Sequence, residues 1–319
     1  MIIGFVTCEE NILNNFFPTP AEPDFISPEP GFTPDDYLAV QDLRAAGHEV
    51  RSVIWGTPAQ LLRGLDLIII RSPWDYTDSE RNKEKFFAWL TELERAHLPL
   101  QNPPALMRWL LNKHYLQDFA LRGINVIPTQ YLPAGTTVDL PNIYKVNGPT
   151  VFKQCIGAGG NGLYLINSIK SAKKQQDNLN FDMQFADYML QPLVPEIKKA
   201  GEWSLTYFGG KYSHSILKKP AKGSIMVHAE RGGTLHFPVT PPDSVIAFAN
   251  QVFQQLPSAF KSVLYLRIDV IETKEGPVLV ECEGVEPELF FRAEKGSEKN
   301  FRLAIETMET RLLEVKGQQ

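Results

Sequence analysis

Residues 264–283 read LYLRIDVIETKEGPVLVECE, and both the fold and the candidate chemistry of the chain turn on this stretch. Two runs of alternating apolar and polar residues flank the turn-forming segment ETKEGP (272–277), which is the pattern of an antiparallel hairpin. Successive side chains on a strand point to opposite faces. Leu264, Leu266, Ile268 and Val270 therefore share one face, with Arg267 and Asp269 on the other. On the partner strand Val278, Val280 and Cys282 are expected toward the core, and Glu281 and Glu283 away from it. A turn centred on Glu275 places Asp269 opposite Glu281 and Arg267 opposite Glu283. Like charges so close repel unless a cation sits among them, and hard oxygen ligands favour magnesium or manganese over zinc. A solvated acidic face above an apolar underside is the alternative that alternation alone leaves open.

Upstream, TVFKQC (150–155) puts Lys153 on a strand just before GAGGNG (157–162), with glycine at 157, 159, 160 and 162, and LYLI (163–166) follows as a second strand. Glycines let backbone N–H groups approach phosphate oxygens, and the lysine adds a point charge for the same anion. The loop lacks the Gly-Lys-Ser/Thr of a P-loop and is not GxGxxG in a βαβ unit, so a phosphate cradle and a plain hairpin tip both fit. EWSLTYF (202–208), Gly209-Gly210 and KYSHSILKK (211–219) give a further hairpin signal. Lys211, Lys218, Lys219, Lys222 and Arg231 crowd the region after Glu202, as a phosphate or substrate clamp or as a solvated basic loop. The six histidines are scattered without acid partners at motif spacing and read as structural.

The first third reads differently. IIGFV (2–6), HEVRSVIW (48–55) and LDLIII (65–70) are strand runs. Thr33-Pro34-Asp35-Asp36 opens a helix that ends before Gly47, and residues 79–97 carry Phe86, Leu90 and Leu93 at helical spacing. Six prolines between Pro18 and Pro34 mark a loop or lid. The alternation of strand and helix predicts an α/β domain with a mainly parallel sheet. A second unit begins near Asn102-Pro103-Pro104, passes through a helix containing residues 112–116, reaches a strand GINVIPT (123–129), and then turns antiparallel from Pro149 onward. A helix over about 298–315 closes the chain.

Composition bounds the function. At ~150 residues per domain, 319 residues predict about two domains. The 32 basic and 37 acidic residues leave a net charge of -5, so no whole-chain field attracts nucleic acid or anionic lipid. Cys8, Cys155 and Cys282 lie far apart with no zinc spacing, and no apolar run approaches membrane length. A cytoplasmic chain with no membrane or nucleic-acid partner is expected.

Taken in order, Lys113, Lys153, the loop at 157–162, the hinge from Gln191 to Val194, Glu202, Arg267-Ile268-Asp269 and Glu281-Cys282-Glu283 resemble the ATP-grasp superfamily. The stretches RSPWDY (71–76), NPPALMRWLLNKHYL (102–116), VPEIKKAGEWSL (194–205), SHSILKKP (213–220) and EPELFF (286–291) look closer to the O-ureidoserine cyclo-ligase branch than to glutathione synthetase or D-alanine:D-alanine ligase. The resemblance implies a preATP-grasp α/β domain over 1–105, then an ATP-grasp fold of two α+β subdomains over 106–190 and 191–319. It implies ATP as cofactor, with Lys113, Lys153, Gly157, Gly159, Gly160 and Gly162 at the phosphates, Gln191 and Leu193 at adenine, and Glu202 at ribose. Asp269, Glu281 and Glu283 would hold Mg2+ or Mn2+, with glutamate at 283 where well-known members carry asparagine. Arg267 would stabilise the transferring phosphoryl group. A ligase that activates a carboxylate as an acylphosphate and joins it to an amine, within one molecule or between two, is the activity implied. A nucleotide-binding regulatory protein and a small-molecule kinase are the alternatives on this fold. The partner is an amino-acid-like small molecule, for which Arg71, Asp75, Lys218 and Arg231 are the candidate contacts; the oligomeric state, a homodimer included, is left open.

Overall fold

The computed structural model of the chain describes residues 1–13, 29–157, 159–222, 224–227, 232–260 and 262–317. Most of the proline-rich loop, together with His228 and Arg231, lies outside the described residues. The chain opens with β1 (Ile2–Thr7), α1 (Glu9–Leu13), α2 (Pro34–Ala45), β2 (Glu49–Ile54), β3 (Leu67–Ser72), α3 (Glu80–Arg95) and β4 (Leu100–Gln101). The four strands form one sheet in the order β2-β1-β3-β4, every pairing parallel, as the alternation of elements requires. The Thr33 hydroxyl accepts from the Asp36 N–H at 2.9 Å to start α2, and Gly47, at φ +90°, takes the left-handed conformation that ends it. Helix α3 starts where the Ser79 hydroxyl accepts from the Asn82 N–H, and it buries the expected Phe86, Leu90 and Leu93 with Trp89.

The next helix differs from the expectation. It is two helices, α4 (Pro104–Leu111) and α5 (Tyr115–Leu121), broken at Asn112, whose backbone is extended at φ -107° and ψ 111°. The Asn112 side chain accepts from the His114 N–H at 3.1 Å, a local bond that competes with helix. Freed from the helix, the Lys113 N–H donates to Cys155 O at 2.8 Å. GINVIPT is also not a strand. It makes one parallel bridge, Val126 to Leu279, and the ladder begins later at β5 (Gln130–Leu132), past Pro128, which has no N–H to donate.

Helix α6 (Leu140–Asn147), β6 (Thr150–Gln154), β7 (Tyr164–Ile166), α7 (Ile169–Asp182) and β8 (Tyr188–Pro192) complete an antiparallel sheet in the order β5-β8-β6-β7. Its outer face packs Phe152 and Leu190 against Leu140, Ala172 and Leu179 of the helices. Alternation therefore sends Lys153 and Gln191 to the inner face.

The last sheet runs β11-β10-β9-β12-β13, from β9 (Glu202–Phe208), β10 (Lys211–Lys219), β11 (Thr234–His236), β12 (Tyr265–Thr273) and β13 (Gly276–Glu283); α8 (Asp243–Gln254) precedes β12, and α9 (Ser297–Gly317) ends the chain. Gly209 and Gly210, at φ +54° and +84°, make the expected tight β9–β10 turn. At the deciding hairpin Asp269 faces Glu281 and Arg267 faces Glu283, as read from the sequence, but by a different route. The turn is centred between Lys274 and Glu275, half a residue earlier than expected, with Thr273 opposite Gly276, and a bulge at Val280 restores the register. That bulge corrects the expected faces. Cys282 and Leu279 enter the main core with Ile268 and Val270, while Val278 and Val280 join Ile271 and Ile127 in a separate apolar patch. No helix among the described residues is long and apolar enough to cross a membrane.

Candidate active site

Cross-strand register assembles the charged centre. Lys218 on β10 lies opposite Glu202 on β9, Ser204 lies opposite Asp269, and Asp269 lies opposite Glu281. The Lys218 ammonium sits 2.6 Å from Glu202 and 3.1 Å from Asp269. Arg267 grips Asp269 with two nitrogens, at 3.0 and 2.9 Å, and reaches Glu283 at 2.5 Å. The Ser204 hydroxyl donates to Asp269 at 2.6 Å. Lys113, released by the helix break, bridges Glu281 at 3.0 Å and the Gly157 carbonyl at 2.7 Å. It thereby ties the strand carboxylates to the glycine loop.

The charges tune one another. Burial would raise the Asp269 carboxyl, but Arg267 and Lys218 hold it well below the usual range. Glu281 is likewise held down by Lys113 and Lys153 against the effect of burial. Glu283 goes the other way: burial, with Glu281 and Asp269 nearby, outweighs Arg267 and pushes it up to about 8. Burial depresses the Lys153 ammonium, and Lys113 and Lys218 add to this against the pull of Glu281 and Glu202. Carboxylate oxygens of Asp269, Glu281 and Glu283 lie within 4.8 Å of one another. Three carboxylate oxygens at this spacing fit a hard dication, whose charge would favour the ionised form of Glu283.

The glycine loop carries positive φ at Gly159, Gly160 and Gly162, and a Cβ at Gly162 would come within 2.8 Å of the Gln154 side chain. At the hinge the buried Gln191 amide donates to the Thr129 hydroxyl at 2.9 Å, and the Leu193 N–H donates to Pro149 O at 2.9 Å. Val194 and Ile197 pack on the buried patch of Ile127, Ile271, Val278 and Val280, which adjoins Glu281 in sequence.

Arg71 and Asp75 are engaged elsewhere, and not with each other. Arg71 is 2% exposed, pairs with Asp36 at 2.8 Å and donates to Pro287 O, while Asp75 accepts from the Trp55 indole. Lys218 is buried at the centre of the cluster rather than in a basic loop. Two groups escaped the sequence reading. Ser204 shares a face with Glu202 two residues away, so alternation along β9 would have found it. Glu286, which accepts from the Tyr76 hydroxyl at 2.6 Å, had no local signal, since its partner is 210 residues away.

Comparison with known proteins bears on the fold. Residues 3–102 match the family described as D-cycloserine synthetase DcsG, N-terminal domain. The chain is 26% identical over 245 residues to the cycloserine biosynthesis protein DcsG of Streptomyces lavendulae, covering 70% of this chain and 77% of that one. The crystal structure of D-cycloserine synthetase DcsG superposes with a TM-score of 0.75 at 21% identity, covering 96% of this chain and 98% of that one. D-alanine–D-alanine ligase from Bacillus anthracis, complexed with ATP, superposes with a TM-score of 0.63 at 14% identity, covering 98% and 99%. The chain thus has the ATP-grasp fold, a parallel-sheet preATP-grasp domain followed by two α+β subdomains, and within that fold it resembles DcsG.

Proposed function

We propose that this chain is an ATP-dependent ligase that activates a substrate carboxylate as an acylphosphate and hands the acyl group to an amine-type nucleophile. The observation that carries the reading is the convergence of Lys113, Lys218 and Arg267 on Asp269, Glu281 and Glu283, beside a glycine loop that Lys113 itself touches. A nucleotide lies between the two antiparallel sheets, its base against the apolar patch of Ile127, Ile271 and Val194, and its phosphates toward Lys113, Lys153 and the loop at 157–162. Asp269, Glu281 and Glu283 hold a divalent cation, Mg2+ or Mn2+, which when bound neutralises phosphate charge.

The residues' work is mainly electrostatic. Lys113 and Lys153 offset the repulsion between the incoming carboxylate and the γ-phosphate. The carboxylate oxygen attacks phosphorus, the bond to the β–γ bridging oxygen breaks, and ADP leaves. Arg267, fixed by two bonds to Asp269, stabilises the charge on the phosphoryl group and on the tetrahedral species formed when the nucleophile attacks and expels phosphate. Little protein acid-base chemistry is needed, which suits a centre built from lysine, arginine and carboxylates. Positioning supplies much of the rate.

ADP and phosphate release, measured against a panel of carboxylic acids with and without amine nucleophiles, tests the reading. Release that requires both partners supports it. A stable phosphorylated product makes the protein a kinase instead, and Mg-ATP binding with no turnover makes it a regulatory nucleotide binder.

A further inference from the structure

The segment from Gly284 to Arg292 follows the carboxylate strand directly, and it is irregular apart from a single helical turn at Phe291–Ala293. Irregular backbone normally lies on the surface because its polar groups need partners. Here the partners are side chains, one carbonyl after another. Asn102 donates to Gly284 O at 2.7 Å, and the Tyr265 hydroxyl lies 2.8 Å from Val285 O. Trp74 donates to Glu286 O, Arg71 to Pro287 O, Arg267 to Glu288 O, and Thr206 to Leu289 O, with His214 also on the last carbonyl. Asp35 accepts from the N–H groups of Phe291 and Arg292. Phe290 is held at φ +55°, a conformation that L residues with bulky side chains rarely adopt, and such outliers persist only where the surroundings over-determine them. Arg71, Trp74 and Asp35 are thus positioning residues for this segment, whose backbone is hydrogen-bonded along its length as a strand's would be.

Rigid support matters when a side chain on the segment must meet a ligand at fixed geometry. Two carboxylates project from it. Glu288 pairs with Arg292 at 2.7 Å. Glu286 has no cation: its carboxylate accepts from the Tyr76 hydroxyl and forms no ion pair among the described residues. Every other acid of the centre is matched, Asp269 and Glu202 by Lys218, Glu283 by Arg267, and Glu281 by Lys113. Glu286 is close enough to the centre for its charge to act on Lys113, and burial raises its carboxyl, a cost that a bound cation would relieve. A half-buried anion locked in place beside a carboxylate-activating centre, without a counter-ion of its own, is complementary to a positive charge on the substrate.

We propose that Glu286 determines substrate choice by pairing with a cationic nitrogen, an ammonium or amidinium group, on the acid whose carboxylate is activated. This rests on the ligase reading above. Trp74 and Tyr76 bring the loop after β3 into the same site, and Tyr76 holds Glu286 in orientation. The basis of selection is a site group that would be left unpaired by an acid lacking the cation, which discriminates far better than shape alone.

The test uses matched pairs of acids, each α-amino acid from two to six carbons beside its deaminated analogue, with saturating Mg-ATP and hydroxylamine as nucleophile, and reads ADP release. Wild type is expected to favour the ammonium-bearing member of at least one pair by roughly a hundredfold in kcat/KM. Glu286→Gln keeps an acceptor for Tyr76 but removes the charge. It should raise KM for that acid by about tenfold or more, shrink the preference, and leave KM for ATP within about twofold. Equal use of both members by wild type, a preference unchanged in Glu286→Gln, or release with no acid of the panel overturns the assignment. Whether Mg-ATP still shifts the melting temperature separates the two failures: a retained shift leaves the nucleotide site standing, and its absence defeats the ligase reading itself.

Discussion

Two buried charge networks stand about one loop apart in this molecule, and they differ in how open they are. Around Asp269 the middle is buried, with Asp269, Lys218, Arg267 and Glu202 between 2% and 7% exposed, and only the rim is accessible: Glu281 is 27% exposed and Glu283 28%. Around α2, Arg71 with Asp36 and Arg292 with Asp35 are sealed, none above 9%. The sealed network joins the first domain to the segment after β13, and its charges pair with one another and with the backbone, although Arg71 Nη1 is buried without a hydrogen-bond partner among the described residues. The other leaves Glu281 and Glu283 partly open to solvent, where a charged ligand can reach them. Charged residues of similar type thus serve cohesion in one place and, in the function proposed above, ligand chemistry in the other.

The largest expected effect breaks the sealed side. Arg71→Ala leaves Asp36 buried without its cation and Pro287 O without a donor, so unfolding free energy should fall by about 3–5 kcal/mol. Chemical denaturation measures this. A loss under ~1 kcal/mol with a selectively raised KM would return Arg71 to the substrate side. Next, Glu281→Gln on the open side should reduce turnover by roughly 10²-fold or more while stability changes by no more than about 1 kcal/mol. If it unfolds the protein instead, the two networks are alike and the contrast fails. Lys153→Ala should weaken Mg-ATP binding by about tenfold, or ~1.4 kcal/mol, in a calorimetric titration. The smallest effect belongs to a pair in neither class: Arg51 and Glu49 are each 54% exposed, so Glu49→Gln should alter stability by less than ~1 kcal/mol, which thermal melts can follow.

The same contrast marks what the sequence disclosed. Alternation placed Arg267 and Asp269 on one face and Glu281 and Glu283 on one face of the partner strand, but their pairing agrees with the expected register only because the earlier turn and the bulge at Val280 offset each other. The bulge at Val280 was not legible, since nothing local distinguishes a bulged valine from its neighbours. The break at Asn112 was hidden in a run of good helix formers, and only the Asn112 side-chain bond and the pairing of Lys113 with Cys155 decide it. The parallel sheet of the first domain followed from the order of its elements. Arg71 could not be placed from sequence, because its partners Asp36 and Pro287 lie 35 and 216 residues away and no periodicity reaches so far.

The central claim is that the cleft between the two antiparallel sheets binds a nucleotide triphosphate through Lys113, Lys153 and the carboxylate trio. Calorimetric titration of the full chain with ATP, in the presence and absence of Mg2+, tests it most directly. The account predicts one site per chain, affinity that falls on removing the metal or on Lys153→Ala, and a stabilisation of about 2.7 kcal/mol at ~100 times the dissociation constant. No binding heat and no thermal shift at millimolar Mg-ATP would contradict it.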